Sequence, residues 1–345
     1  MNAVTKDSRI YVAGHRGMVG SALVRRLTAG GYRNIVTRTH AELDLLEQQA
    51  VRDFMLAEKP DYVFIAAARV GGIQANNTYR ADFLYENLQI EANLIRAAHD
   101  VGVERLMFLG SNCIYPRDCA QPIREEYLLT GPLEPTNEPY AIAKIAGLKL
   151  CESFNSQYGR RYVSVMPASL YGPGDKYDPA KSHVMPALLR KVHEAKRRGD
   201  DEIVVWGSGT PRRELLHVDD LADACVFVMQ RGESDVPSLI NIGTGTDHAI
   251  TELAALAMEV AGYRGRLVLD RTQPDGTPRK LLDISRLAAL GWRARTSLEE
   301  GLRRVWASGP FELENGGVFL STATHHDRLG TCTPSTLQRS HVERN

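Results

Sequence analysis

Short apolar runs alternate with amphipathic stretches along the first half of the chain. Residues 9–13 form a β-branched run that stops at a glycine, and residues 18–27 then carry apolar positions at helical spacing. The alternation continues, with strands predicted at residues 34–37, 62–67, 105–109 and 162–166 and helices at residues 84–101 and 140–158. Nearly unbroken apolar strands between helices are typical of a parallel sheet covered on both faces. The predicted fold class is therefore α/β, with a doubly wound parallel sheet.

The pattern becomes irregular after about residue 170. Between loops rich in glycine and proline, short strands are predicted at residues 203–206, 239–242 and 267–269. We therefore divide the chain into a first domain at residues 1–170 and a smaller α/β region at residues 171–307, some segments of which return to the first domain. Residues 308–345 are polar and without pattern, and we expect this tail to be disordered.

Composition excludes several classes of protein. The 345 residues are 43% hydrophobic and 24% charged, which is enough apolar material for a sizeable core. Lysine and arginine together number 42, as do aspartate and glutamate, so the chain lacks the basic excess of a nucleic-acid-binding protein. No apolar run approaches the ~20 residues of a membrane-spanning helix, and the first residues do not resemble a secretory signal. We expect neither a nucleic-acid partner nor a membrane association.

The cysteines indicate a reducing compartment. They are widely separated and form no Cys-x-x-Cys pair, and they are Cys113, Cys119, Cys151, Cys225 and Cys332. Such spacing favours neither a disulfide framework nor a structural zinc site. We therefore expect a cytoplasmic protein without a bound metal.

A glycine-spaced turn joins the first predicted strand to the first predicted helix. It reads Gly14-His15-Arg16-Gly17-Met18-Val19-Gly20. In this context the first glycine permits a tight turn, the second lets the backbone approach a pyrophosphate, and the third allows close packing of the helix. Free backbone N–H groups at the helix start then bind the anion. These residues are the predicted binding site of a dinucleotide cofactor.

The residues after the second strand indicate which dinucleotide binds. An NAD site usually carries an acidic residue about 20 residues further on, where it binds the ribose 2′-hydroxyl. Here the chain reads Thr37-Arg38-Thr39-His40, and no carboxylate occurs before Glu42. Because Arg38, helped by Arg16 and His40, would neutralise a 2′-phosphate, NADP is favoured over NAD.

Tyr140 and Lys144 lie four residues apart and therefore share one face of a predicted helix. A tyrosine with the ordinary pKa of about 10 is a poor proton donor or acceptor at neutral pH. A neighbouring ammonium stabilises the phenolate and lowers that pKa. Ser111 follows the strand at residues 105–109, at the sheet edge where ligands bind in open α/β folds. We expect Tyr140 and Ser111 to contact one carbonyl oxygen, and Lys144 to contact the cofactor ribose as well.

Longer runs extend these motifs. They are Gly-His-Arg-Gly-Met-Val-Gly at 14–20, Ala-Ala-Ala-Arg-Val-Gly-Gly-Ile at 66–73, Ala-Asn-Asn-Thr-Tyr at 75–79, Cys-Ile-Tyr-Pro at 113–116, Leu-Glu-Pro-Thr-Asn-Glu-Pro-Tyr-Ala-Ile-Ala-Lys at 133–144, and Trp-Gly-Ser-Gly-Thr-Pro-Arg-Arg at 206–213. The glycine spacing, Ser111 and the Tyr140–Lys144 pair resemble the extended short-chain dehydrogenase/reductase superfamily, which has the Rossmann fold. The longer runs resemble the GDP-L-fucose synthase family within it, over about residues 8–306.

The resemblance implies a Rossmann domain that binds NADPH, a smaller region that binds a GDP-sugar, and a homodimer formed through a helical bundle. The implied activity inverts C3 and C5 of GDP-4-keto-6-deoxy-D-mannose and then reduces its C4 ketone with NADPH. Both inverted carbons lie next to the ketone, so their protons are acidic once the enolate oxygen is stabilised. Inversion needs a base and an acid on opposite faces of the ring. The resemblance assigns these roles to Cys113 and His183, without deciding which residue is the base.

The resemblance also implies a set of binding residues. Beyond the glycine turn, cofactor contacts are expected at Arg38, His40, Asp44, Leu45, Leu109, Gly110, Lys144, Pro167, Ala168, Ser169, Leu170 and His183. The GDP portion of the substrate is expected to contact Lys191, Trp206, Arg213, Asp275 and Lys280. Arg213 is the strongest physical candidate, because a guanidinium suits bidentate binding of a diphosphate.

Two residues depart from the family pattern. His40 stands where arginine is frequent, which leaves the use of both NADP and NAD open. Asn112 stands where a second serine is usual, so Ser111 is the only hydroxyl candidate there.

Two other functions remain open at this point. An NAD-dependent sugar-nucleotide 4-epimerase or 4,6-dehydratase has the same fold. A dehydratase typically carries an acidic group near the serine, whereas Ser111-Asn112-Cys113 has none, and a 4-epimerase needs no cysteine–histidine pair. A regulatory NADP-binding subunit is the second alternative, but it would not require Ser111, Tyr140 and Lys144 together.

Overall fold

The computed structural model describes residues 4–177, 182–231 and 236–309. The tail that the sequence predicts to be disordered lies outside the described residues from Pro310 onwards. Within the described ranges, no helix is both long and apolar enough to cross a membrane.

Strands and helices alternate through most of the chain. The strands are β1 (Arg9–Ala13), β2 (Asn34–Val36), β3 (Tyr62–Ile65), β4 (Arg105–Leu109), β5 (Arg161–Pro167), β6 (Ser169–Tyr171), β7 (Glu202–Trp206), β8 (Arg212–His217), β9 (Leu239–Ile242), β10 (Asp247–Ala249), β11 (Arg266–Asp270) and β12 (Arg279–Lys280). The helices are α1 (Met18–Ala29), α2 (Gln48–Glu58), α3 (Ile73–Thr78), α4 (Arg80–Asp100), α5 (Glu138–Tyr158), α6 (Val184–Arg198), α7 (Val218–Gln230), α8 (Ile250–Ala261), α9 (Ser285–Ala289) and α10 (Leu298–Ala307). Short 3₁₀ turns occur at Asn112–Ile114 and Glu125–Tyr127.

Six of the described strands form the main sheet, in the order β2-β1-β3-β4-β5-β9. Every neighbouring pair in this sheet is parallel, and parallel neighbours need crossover connections, which are usually helices. Helix α1 packs on α7, while α4 packs on α5 and α2. The predicted doubly wound parallel sheet is therefore confirmed.

The interior strands are buried along most of their length, which is why they read as nearly unbroken apolar runs. All four residues of β3 are buried, and only the first residue of β1 and of β4 is not. The helix predicted at residues 140–158 begins two residues earlier, at Glu138, with Pro139 in its first turn. A proline is tolerated there because the N–H groups of the first turn have no partner within the helix.

The second part of the chain forms smaller sheets. Strand β8 pairs with β6, β10 and β12, and β7 pairs with β11. A second apolar cluster lies between these strands and helices α6, α8 and α10. Strand β9 comes from the same part of the sequence but pairs with β5 of the main sheet. The boundary that we draw near residue 170 stays a prediction.

The parallel strands β1, β4 and β5 all end at the same edge of the main sheet. In open α/β sheets ligands bind in the crevice outside these carboxyl ends. The chain leaves the three strands at Ala13, Leu109 and Pro167, and the predicted site residues begin directly after them. The fold thus brings together residues that are far apart in the sequence.

Candidate active site

The glycine turn after β1 packs closely against its own helix and against the chain that follows β3. Gly14 has a φ of +82°, in the left-handed region that favours glycine, and a Cβ there would lie 2.7 Å from the backbone of Ala67. A Cβ on Gly20 would lie 2.2 Å from the Gly14 carbonyl oxygen. The Gly17 N–H donates to the same carbonyl over 3.0 Å, which closes the turn. Side chains would not fit at Gly14 and Gly20.

The N-terminus of α1 has the properties of an anion site. Among the described residues, no side chain caps this helix, and its first turn, which begins with Met18 and Val19, contains no acidic residue. Free N–H groups and the helix dipole attract a negative charge. Burial and the neighbouring Arg16 lower the pKa of His15 in the turn. These features fit the pyrophosphate of a dinucleotide.

Arg38 follows β2 and is fixed by its neighbours. Its guanidinium pairs with Glu58 at 2.5 Å and lies over the Phe54 ring, 5.2 Å from the centroid. Hydrogen bonds from Thr39, and more weakly Arg38 and Arg16, lower the pKa of Glu42. Both guanidinium groups therefore lie near this loop, and their contact with a 2′-phosphate stays a prediction.

The loop after β2 also carries the other predicted residues of this part of the site. The His40 side chain is exposed and lies 3.7 Å from the carboxylate of Asp44. Asp44 accepts a hydrogen bond from the Leu46 N–H at 3.0 Å, and Asn93 on α4 donates to the Leu45 carbonyl at 2.9 Å. The loop is thus anchored to α4, while His40 faces solvent.

The remaining predicted cofactor residues stand where β4 and β5 end. They are Leu109, Gly110, Pro167, Ala168, Ser169 and Leu170. Gly110 is closely packed, because a Cβ there would lie 2.2 Å from the Met166 side chain. The Ala168 N–H donates 2.8 Å to the Ile242 carbonyl, which ties this segment to β9.

Ser111 and Cys113 occupy one short helical turn at the end of β4. Ser111 is the N-cap of this turn, and its Oγ accepts a hydrogen bond from the Cys113 N–H at 3.4 Å. Cys113 is buried, and burial raises the pKa of its thiol, while Ser111, Lys280 and Lys144 oppose that rise. The thiol therefore keeps its proton near neutral pH, with two ammonium groups in electrostatic reach.

Tyr140 and Lys144 share one face of α5, as their spacing predicts. The Lys144 Nζ lies 5.7 Å from the Tyr140 ring centroid and 4.7 Å from the Phe108 ring centroid. Phe83 of α4 meets the Tyr140 ring edge-on, with centroids 6.4 Å apart. Two aromatic rings thus enclose the pair at the end of β4.

The pKa of Tyr140 is raised rather than lowered. Burial is the main cause, and Cys113 and Glu91 add to it. The Lys144 ammonium does not act on the phenol alone, because Glu91 Oε1 lies 2.8 Å from its Nζ. This differs from the expectation drawn from Tyr140 and Lys144 alone, and the physical reasons are the burial of the phenol and, to a smaller extent, Cys113 and the carboxylate on the neighbouring helix.

His183 directly precedes α6 and is its N-cap residue. Its side chain is exposed, and the protein atoms around it lower the pKa of the imidazole from its ordinary value. The preceding residues 178–181 lie outside the described part of the chain. The role of His183 in proton transfer and its contact with the cofactor stay predictions.

Two of the predicted substrate residues pair with each other at the end of β7. Trp206 is 66% exposed, and the Lys191 Nζ lies 5.6 Å from its ring centroid. Lys191 also donates to the Val204 carbonyl at 2.9 Å, which holds its ammonium at the strand. An exposed indole beside an ammonium suits a planar base that carries phosphate groups.

Asp275 and Arg213 shape the loops beside this pair. Asp275 accepts hydrogen bonds from the Ser208 N–H at 2.8 Å and from the Ser208 hydroxyl at 2.7 Å. Arg213 donates to the Thr277 carbonyl at 2.6 Å, and burial lowers the pKa of its guanidinium. In this arrangement Asp275 holds the loop, while Arg213 presents a positive charge from β8.

Lys280 links the two groups of predicted residues. It pairs with Arg213 in the register of β12 and β8. Burial and Arg213 lower the pKa of its ammonium, which Cys113 opposes. Lys280 therefore lies between the phosphate-binding candidates and the thiol, a position that its sequence context does not indicate.

Glu91 and Gly147 also lie at the site, although no sequence motif predicts them. Glu91 lies on the buried face of α4, where Asn87, Leu94 and Ala98 are also buried. A carboxylate at helical spacing from buried apolar residues is an unusual signal that could have singled it out. The packing partner of that face is not evident from the sequence, so its contact with Lys144 could not be foreseen.

Known proteins resemble this chain over most of its length. The sequence model of the "NAD dependent epimerase/dehydratase family" matches residues 10–243. A GDP-L-fucose synthase of Escherichia coli (strain K12) is 58% identical over 305 residues, which cover 86% of this chain and 95% of that protein. GDP-L-fucose synthase 1 of Arabidopsis thaliana is 56% identical over 301 residues, covering 87% of this chain and 93% of that protein.

A solved structure resembles the fold as well. A GDP-mannoheptose C4 reductase from Campylobacter jejuni with NADP bound superposes with a TM-score of 0.82 at 39% identity. The match covers 88% of this chain and 98% of that one.

Replacing Lys280 by methionine removes one of the positive charges that favour the Cys113 thiolate. We expect the Lys280→Met variant to raise the pKa of Cys113 further, so its alkylation by iodoacetamide slows at every pH below that pKa. Peptide mass spectrometry measures the rate at Cys113 alone. Lys149→Met, which removes an exposed ammonium from α5, is the matched control. Equal alkylation rates in the two variants would contradict the electrostatic link.

Proposed function

This chain belongs to the NAD dependent epimerase/dehydratase family, and we propose that within this family it converts GDP-4-keto-6-deoxy-D-mannose into GDP-L-fucose. The enzyme inverts C3 and C5 of the sugar and then reduces the C4 ketone with NADPH. Relatives more than 50% identical over most of the chain are GDP-L-fucose synthases. The alternatives of a 4-epimerase, a dehydratase or a regulatory subunit are not favoured.

The observation that carries this function is the place of Cys113. It lies on the same short turn as Ser111 and acts electrostatically on Tyr140. A thiol beside the hydroxyl groups that bind a ketone oxygen is suited to proton transfer at the neighbouring carbon. Neither a 4-epimerase nor a simple reductase needs such a group.

NADPH is the cofactor, and the chain fits it at several points. The turn at Gly14 and Gly20 leaves no room for side chains, and the start of α1 is open to a pyrophosphate. We assign binding of the 2′-phosphate to Arg38, in the loop after β2, and to Arg16, in the glycine turn. The exposed His40 lies at the edge of this site. The chemistry that NADPH supplies when bound is a hydride for C4.

Epimerisation needs a stabilised enolate and two proton-transfer groups. The Ser111 and Tyr140 hydroxyls donate hydrogen bonds to the C4 oxygen, where negative charge develops. Cys113 and His183 move the protons at C3 and C5 on opposite faces of the ring. The pKa of the Cys113 thiol is raised and that of the His183 imidazole is lowered, so the thiol is the better held proton source and the imidazole the readier acceptor of the two groups that inversion requires.

Reduction of the ketone needs a proton for the C4 oxygen. Tyr140 retains its phenolic proton near neutral pH, since burial raises its pKa. The phenol therefore enters the reduction step as an acid, with Ser111 holding the oxygen and Lys144 holding the cofactor ribose. Lys191, Trp206, Arg213, Asp275 and Lys280 bind or shape the site for the GDP portion.

The compartment follows from the chemistry of the site. Cys113 must be a reduced thiol to transfer protons, and the cytoplasm maintains reduced thiols. We therefore assign the enzyme to the cytoplasm. Support also comes from the structure, in which Cys113, Cys119, Cys151 and Cys225 are free.

The enzyme is a homodimer in this proposal. Helices α4 and α5 pack against each other and expose large apolar side chains, among them Tyr85 at 64% and Ile142 at 43%. A second copy that covers these helices would form a four-helix bundle and bury both side chains.

Replacing Tyr140 by phenylalanine removes the proton donor and little else. With GDP-4-keto-6-deoxy-D-mannose, wild-type protein should oxidise NADPH and form GDP-L-fucose, identified by chromatography and NMR. We expect Tyr140→Phe to reduce this turnover by at least ~10²-fold and to bind NADPH normally in a fluorescence titration. The exposed Tyr158→Phe on the same helix is the control. Absence of GDP-L-fucose with wild-type protein would refute the function, whereas normal turnover by Tyr140→Phe would refute only its role.

Replacing Cys113 by serine removes one of the two proton-transfer groups. In D₂O, deuterium incorporation at C3 and C5 should fall by roughly 10²-fold, because a serine hydroxyl is far less acidic than a thiol. NMR or mass spectrometry of the sugar measures the exchange. Cys225→Ser, at a buried thiol on α7, is the control. Unchanged deuterium exchange in Cys113→Ser would contradict the role assigned to Cys113.

A charge placed in the exposed apolar face should prevent association. We expect wild-type protein to sediment at twice the mass of one chain and the double variant Tyr85→Glu/Ile142→Glu to sediment as a monomer. Leu56→Glu, at an exposed leucine of α2, should remain dimeric. A wild-type monomer would rule out the homodimer.

A further inference from the structure

Glu91 on α4 faces the Tyr140–Lys144 pair from the neighbouring helix. Its Oε1 lies 2.8 Å from the Lys144 Nζ, and each of the two residues is only 1% exposed. Within the described part of the chain, neither Oε1 nor Oε2 has a partner with hydrogen-bond geometry, so the contact with Lys144 is an ion pair. A carboxylate that is so deeply buried and has no hydrogen bond depends on the ammonium beside it.

The packing of α5 makes room for this carboxylate. A Cβ on Gly147 would lie 2.5 Å from Glu91 Oε2 and 2.6 Å from the Phe108 ring. Any larger residue at this position would push the carboxylate away from Lys144. Gly147 and Phe108 thus define the space in which Glu91 meets the ammonium.

The charges in this pocket are coupled. Tyr140, Lys144 and Cys151 face Glu91 from α5, and Cys113 acts on Tyr140 from the turn after β4. Burial raises the pKa of Glu91 against the attraction of Lys144. With both groups ionised, Lys144 and Glu91 together carry no net charge, so the phenol next to them is not exposed to an isolated ammonium. An unopposed positive charge at this distance would favour the phenolate.

We propose that Glu91 is a positioning residue for the catalytic pair: from α4 it holds the Lys144 ammonium and cancels its charge, so that Tyr140 keeps the proton it donates. The inference rests on the proposed function, in which Tyr140 protonates the C4 oxygen. Glu91 touches neither substrate nor cofactor in this scheme. It acts through Lys144. By keeping Tyr140 protonated, it suits the tyrosine–lysine pair to reduction, in which the phenol donates a proton, rather than to oxidation.

The pH dependence of NADPH oxidation tests this role. In Glu91→Gln the side chain keeps its shape and loses its charge, so either Tyr140 or Lys144 gives up its proton at a lower pH than in the wild type. We expect the alkaline limb of the kcat profile to move to lower pH, with kcat at about pH 8.5 reduced at least tenfold. The KM for the sugar should change less than kcat. Glu91→Asp keeps the charge but withdraws it from Nζ, and should lower kcat while leaving the alkaline limb in place.

A matched control separates this role from a structural one. Glu125 is also a buried glutamate, and it pairs with Arg286 at 3.5 Å. Glu125→Gln should lower the midpoint of thermal unfolding without moving the alkaline limb. If the alkaline limb stays in place in Glu91→Gln, the proposal is overturned. This holds even if kcat falls because less of the variant is folded. Wild-type kcat in Glu91→Asp would also overturn it.

Thermal unfolding tests the ion pair without any substrate. The midpoint of thermal unfolding is measured for Glu91→Gln, for Lys144→Met and for the double variant. We expect the midpoint of the double variant to fall by less than the sum of the decreases in the two single variants. Additive shifts would contradict the pairing. Because this cycle needs no turnover, it still tests the pair if the wild-type protein fails to form GDP-L-fucose, in which case only the proposed function fails.

Discussion

The burial of one ammonium group is the constraint on which the site depends. An unpaired charge in a protein interior is strongly destabilising, and removing one partner of a buried pair leaves that situation behind. Lys144 must be buried to stand beside Tyr140 at the end of β4, so a counter-ion has to come from another element. Glu91 supplies it from α4 at 2.8 Å. The contact between α4 and α5 therefore stabilises the fold and, in our proposal, also keeps the catalytic phenol protonated.

The predicted site residues come from two sheets, and Lys280 links the two groups. The main sheet presents the glycine turn, Ser111 and Cys113 at its carboxyl edge, while the smaller sheet around β8 presents Arg213 and its neighbours. Lys280 pairs with Arg213 in the register of β12 and acts on the thiol of Cys113. In the proposed function, binding of the diphosphate and proton transfer at the sugar are thus electrostatically connected. A change in charge at Arg213 or Cys113 would therefore alter the electrostatic potential at the other residue.

Much of the fold could be predicted from the sequence because its signals are local. The apolar strand runs, the glycine turn and the four-residue spacing of Tyr140 and Lys144 each fall within a single element or at its end. The short strands β6, β10 and β12 escaped prediction, because two or three residues carry no periodicity and form only when β8 is present. Part of the rise in the Tyr140 pKa, whose main cause is burial, also comes from a distant residue. Glu91 is 49 positions away in the sequence, and only the packing of two helices brings its charge to the pair.

Strand β9 makes the two halves of the chain inseparable. It is contributed by the later half and hydrogen-bonds to β5, where it covers what would otherwise be the open margin of the main sheet. A fragment that stopped near residue 170 would leave the backbone of β5 unsatisfied along that margin, a surface prone to pairing with other chains. The nucleotide half therefore cannot be excised or exchanged as a module. In synthesis on the ribosome, its sheet can be completed only after residues 239–242 have emerged.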